Sequence, residues 1–157
     1  MLLEVIILAS YQKTKAEDKS AKKLRLTLAV LYFIQVIMTT FPFMWGETND
    51  GSFEQITAFE MLVHPGIAYT VDAIKLAALG GIFVVFPMIV FFFCVLDKYS
   101  NKKHVASFLC CILCVSMIVF GIGPGYIAIG SVVTIILYLL IMFLTSMSVQ
   151  ARNRANY

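Results

Sequence analysis

Eleven of the twelve Lys and Arg residues in this chain fall in three short stretches, and each stretch borders a long apolar run. Lys13, Lys15, Lys19, Lys22, Lys23 and Arg25 precede the first run; Lys98, Lys102 and Lys103 separate the second from the third; Arg152 and Arg154 follow the fourth. Lys75 is the one remaining cation. It lies near Glu47, Asp50, Glu54, Glu60 and Asp72, all between runs one and two. Cytoplasmic flanks of membrane helices carry an excess of Lys and Arg. The alternation therefore predicts four spans, with both termini inside and one acidic loop outside.

Composition agrees with this. Of 157 residues, 61% are hydrophobic and 13% charged, against about 45–50% and about 25% in soluble domains. The spans are read at residues 26–45, 71–96, 105–120 and 127–147, near the ~20 residues that a bilayer crossing needs. The outer loop is residues 46–70. Too little chain remains for a separate soluble domain. The fold class expected is all-α: a single integral membrane four-helix bundle over 1–157, with a short N-terminal interfacial helix and a short amphipathic outer-loop helix. Residues 2–11 form a short apolar stretch that carries Glu4 and lacks a positive n-region, so they read as a short helix at the inner membrane face or docked on the bundle rather than as a signal peptide. The net charge of +3 is no argument for nucleic acid, because these cations suit anionic headgroups.

In the outer loop, Asn49-Asp50-Gly51 is a turn signal. Ser52 followed by Gln55 has capping-box spacing, and Phe53, Ile56, Phe59, Leu62 and Val63 recur at helical intervals. A helix over 53–63 is predicted, ended by His64-Pro65-Gly66. In the second span Ala73, Ala77 and Gly81 form a small-xxx-small face on which another helix can approach. Gly81 is expected at its tightest point, with Gly80 turned about 100° away. Pro87 is expected to kink that span. Gly121–Tyr126 makes a tight outer turn, and Gly130 and Ser131 offer a contact point opposite the third helix.

No residue set in the sequence carries chemistry strongly. Cys111 and Cys114 are formally C-x-x-C, but on a membrane helix with no second pair they read as small buried hydrophobes. Cys94 and Cys110 read the same way, free and reduced. His64 and His104 fall at opposite membrane faces and cannot share a metal. Gln35 is the best single polar residue at mid-depth and suits packing across helices, with Tyr138 as its candidate partner or else facing lipid; Asp72 and Lys75 are charges at the outer interface that can pair on one helix face. No catalytic, cofactor-binding or metal-ligating set is expected, and the outer loop lacks the cysteines of claudin or tetraspanin loops. The expectation is a non-enzymatic accessory or assembly subunit whose partners are the lipid bilayer and a second copy or a membrane protein. The alternative is a protomer of an oligomeric small-solute transporter or channel, with Gln35, Asp72 and Lys75 along its path. A sequon-free outer loop suits a bacterial cytoplasmic membrane.

Overall fold

The computed structural model describes residues 22–65, 72–96 and 102–155; the expected interfacial helix at 2–11 lies outside them. The described chain is mostly helical. Helix α1 covers residues 22–38. It closes through turns in which the Thr39, Thr40 and Phe41 N–H groups donate three residues back, to the Val36, Ile37 and Met38 carbonyls (3.2, 3.1 and 3.1 Å). The Thr39 and Thr40 hydroxyls donate to the Val36 and Ile37 carbonyls as well. Pro42 has no N–H to extend the ladder, and strand β1, Pro42–Glu47, follows. The apolar run 26–45 is thus not one helix, and Trp45 stands in a strand rather than at a helix end.

Strand β1 pairs antiparallel with β2, Phe53–Thr57, with Trp45 opposite Gln55 and Glu47 opposite Phe53. The turn falls where Asn49-Asp50-Gly51 signals it. The Gly51 N–H donates to the Thr48 carbonyl (3.0 Å) and the Thr48 N–H to the Ser52 carbonyl (2.8 Å), while Gly51 has φ +83°. This is a three-residue hairpin: a type I turn followed by one left-handed residue.

The expected helix over 53–63 is half strand. Only α2, Ala58–Val63, is helical, and its N-cap is Thr57 rather than Ser52. The Thr57 hydroxyl accepts from the Glu60 N–H (3.1 Å), and the Glu60 carboxylate accepts from the Thr57 N–H (2.8 Å). An isolated helix of eleven residues is marginal without tertiary support, whereas pairing with β1 satisfies the backbone of 53–57 directly. The all-α reading therefore misses a β-hairpin.

Helix α3, Ala73–Leu96, carries Pro87 buried inside it. Helix α4, Lys102–Ser116, widens into a π-helical turn, Met117–Ile122. After Gly123 (φ +86°) and a 3-10 turn, Pro124–Tyr126, comes α5, Ile129–Ala155, which continues well past the expected end at 147. The segments Ala73–Leu96, Lys103–Ile122 and Ile129–Met147 are long and apolar enough to cross a membrane. Helix α3 buries Leu76, Leu79, Gly80, Phe83, Val84, Pro87, Val90 and Cys94 as one stripe. Phe86, Ile89 and Phe93 are exposed, as suits a helix whose outer side meets lipid tails.

The hairpin is tied to the bundle along β1. Met44 bridges Ile127, the Ala128 N–H donates to the Phe43 carbonyl (3.2 Å), and the Ser131 hydroxyl donates to the same carbonyl. The Phe43 ring packs on Phe83, centroids 4.6 Å apart.

Candidate functional site

Two features are candidates: a buried polar seam in the bundle and the hairpin–helix head at one end of it. The seam arises because α1, α4 and α5 each turn polar side chains inward at helical spacing. Tyr32, Gln35 and Thr39 come from α1 and its closing turn. Ser107, Cys110, Cys111 and Cys114 come from α4; Ser131, Thr134, Tyr138 and Thr145 come from α5. All are buried. The Tyr32 hydroxyl donates to the Ser107 carbonyl (3.2 Å) and lies 3.6 Å from the Cys111 thiol. Gln35 is 1% exposed, and its Oε1 has no hydrogen-bond partner; the same holds for Ser107 Oγ, Thr134 Oγ1, Tyr138 OH and Thr145 Oγ1. Such buried oxygens are uncommon in folded proteins and invite an explanation.

Of this seam, the sequence singles out Gln35, Tyr138, Ser131 and the three cysteines, but not as one group. The rest are Ser, Thr and Tyr scattered through apolar runs, and their common direction follows from helix phase. The same phase reorders the cysteines. Cys110 and Cys114, one turn apart, have thiols 4.0 Å from each other, while Cys111 turns to Tyr32. The formal C-x-x-C pair is therefore not the pair that meets. None of the four cysteines is in a disulfide, and all are buried. Among the described residues no group of three or more His, Cys, Asp or Glu could hold a metal.

The remaining expected residues lie elsewhere. Asp72 and Lys75 are exposed at the start of α3, where Asp72 Oδ1 accepts the Ile74 N–H (3.1 Å). Gln35, by contrast, is buried. His64 is exposed as the C-cap of α2, its N–H donating to the Glu60 carbonyl (2.8 Å). His104, expected in a basic loop, is buried near the start of α4 beside buried Lys103. Ala73 is exposed, and Ala77 and Gly81 are half-buried, so this face is only partly covered by the described residues.

The close approach on α3 is made one residue away. A β-carbon at Gly80 would stand 2.5 Å from the Leu62 backbone nitrogen, whereas one at Gly81 would meet only the Leu62 Cδ1, at 3.9 Å. At Gly130 a β-carbon would run into the Pro42 carbonyl. Gly130 therefore contacts the hairpin rather than the third helix. These two glycines seat α2 and β1 on the bundle.

The head is acidic. Glu47, Asp50, Glu54 and Glu60 are all exposed, and no Lys or Arg occurs between Arg25 and Lys75. The Thr48 hydroxyl, and then that of Ser52, donates to Asp50 and holds its carboxyl below the usual carboxylate range. Trp45 and Phe53 are exposed (38% and 56%). Both belong to the sheet face opposite buried Met44 and Ile56, by strand alternation.

No family model matches the chain, and no curated protein or solved structure matches it either. The three apolar helices are compatible with a multi-pass membrane protein.

Proposed function

We propose that this chain is a four-span membrane protein without enzymatic activity that works by contact, as an accessory or assembly subunit. In this reading α1, α3, α4 and α5 cross the bilayer, both termini are cytoplasmic, and the acidic head faces outside. The observation that carries it is the seating of the head. Gly80 receives the α2 backbone and Gly130 the β1 backbone, so the hairpin is held as a rigid surface rather than hung on loops. A rigid, exposed surface loses little conformational freedom on binding. Ala73, Ala77 and Gly81 offer a second, lateral contact for a neighbouring helix. The bacterial cytoplasmic membrane is the setting that this proposal adopts.

The test has two arms. In a Cys-free background, a single Cys at position 50 should react with an impermeant maleimide from outside, and one at position 101 only from inside. Labelling of both from one side would end the four-span reading. Purification in mild detergent should then recover a second copy or a partner in fixed stoichiometry. A bare monomer would count against assembly.

A second reading rests on the seam. The unpartnered oxygens of Gln35, Ser107, Thr134, Tyr138 and Thr145 would suit a hydrated route through an oligomer. Solute flux into liposomes that disappears with Gln35→Leu would favour it over the contact reading.

A further inference from the structure

The outer edge of β2 has the geometry to accept another strand. The hydrogen bond from the Thr48 N–H to the Ser52 carbonyl (2.8 Å) sets the phase of the ladder. Glu54, paired with Gly46, and Ile56, paired with Met44, therefore direct their peptide groups to β1, because bonded and non-bonded pairs alternate in an antiparallel ladder. Phe53 and Gln55 direct theirs away from it. Strand β1 is flanked on its other side by Ile127, so β2 is the free edge of the sheet among the described residues. Phe53, Glu54 and Gln55 are all exposed there.

Charge then selects the occupant. A row of unpaired peptide groups is a template for another chain, and an edge charge deters self-pairing. Glu54 sits on this edge with Asp50 and Glu60 also exposed, in a stretch that has no Lys or Arg between Arg25 and Lys75. Two copies meeting edge to edge would bring heads of the same sign together. A basic strand would instead be attracted, and its Lys or Arg side chains could lie over the exposed rings of Trp45 and Phe53, where cations are held by the ring face. Strand addition of this kind takes its affinity from main-chain bonds and its specificity from side chains.

We propose that the outer edge of β2 takes up an extended, basic segment of a partner protein as a third strand. This rests on the contact reading above and names the chemistry of the partner.

The probe is a labelled eight-residue peptide of alternating Lys and Val, compared with its Glu–Val counterpart, on the full-length protein in nanodiscs. The Lys–Val peptide should bind and slow hydrogen exchange at the Phe53 and Gln55 amides; the Glu–Val peptide should do neither. Gln55→Pro removes an outward N–H while leaving the β1 ladder intact, a position where proline is tolerated on an edge strand. It should weaken binding at least about tenfold, since an edge bond and the room for the partner strand are both lost. Glu54→Lys should reverse the preference between the two peptides. Equal binding of both peptides, or binding untouched by Gln55→Pro, or no protection at Phe53 and Gln55, would each overturn the proposal. The purification in mild detergent separates the failures. If a second copy or a partner co-purifies and the peptide arms fail, strand addition is wrong and the contact reading stands; if the protein is recovered as a bare monomer, the contact reading itself falls.

Discussion

The backbone nitrogen of Leu62 lies 2.5 Å from the point where a β-carbon on Gly80 would be. Helix α2 thus rests its backbone on α3 at a residue that has no side chain. Gly80→Ala should force the helices apart, at about 1–3 kcal/mol by analogy with overpacked cores. Gly81→Ala meets only the tip of Leu62 at ordinary contact distance and should be near neutral. Thermal unfolding in detergent compares the two. Equal losses would mean that the Gly80 contact does not hold the head. The spacing of small residues alone pointed the other way, to Gly81.

Thr57 and Glu60 cap α2 reciprocally. Thr57→Ala should cost about 1 kcal/mol and speed amide exchange over 58–63. Ser52→Ala should leave those amides protected and loosen the hairpin turn instead, because the Ser52 hydroxyl bonds to Asp50 (3.0 Å). If Ser52→Ala exposes 58–63 as much as Thr57→Ala does, the cap has been misplaced.

Acid should open the turn before it affects the bundle. The carboxyl of Asp50 titrates lower in the folded chain than in the unfolded one, because the Thr48 and Ser52 hydroxyls donate to it. A depressed folded value means that its stabilisation is complete above the unfolded value of about 4 and is lost as pH falls through the folded value. Exchange at Gly51 and Ser52 should rise in that window, and Asp50→Ala should abolish the pH dependence. A turn that opens equally in the variant would assign the acid response to another group.

In the seam, Tyr32 and Gln35 should respond differently to apolar replacement. Tyr32→Phe removes a hydroxyl that bonds the Ser107 carbonyl and should cost about 1 kcal/mol. Gln35→Leu removes a buried oxygen that has no partner and should be neutral or stabilising in a dry seam, as apolar replacement of an unsatisfied group often is. A large loss on Gln35→Leu, measured by thermal unfolding, would show that something polar engages Gln35 in the membrane.

Much of the fold was readable because its signals are local or summed along the chain. The long apolar runs of α3, α4 and α5 and the stop at His64-Pro65 need no tertiary information, and neither does the Asn49-Asp50-Gly51 turn. Even the true cap was present as Thr57-Ala58-Phe59-Glu60, a better match to the capping box than Ser52 to Gln55 because its third residue is Glu. The candidate site was far less readable. Of the seam, Gln35, Tyr138 and the cysteines are visible in the sequence; Ser107 and Thr134 join them only once three helices have fixed rotations about their axes.

The sequence by itself determined where the chain is apolar enough to cross a bilayer, and where charge and turn residues break it, because hydropathy and backbone restriction belong to single residues and short windows. Tertiary structure alone decided that 53–57 is a strand and that Gly80 rather than Gly81 takes the close contact. Each of those outcomes depends on a partner far along the chain. Residues 53–57 are compatible with helix or strand until β1 supplies hydrogen bonds, and adjacent glycines are equivalent until α2 descends on one of them.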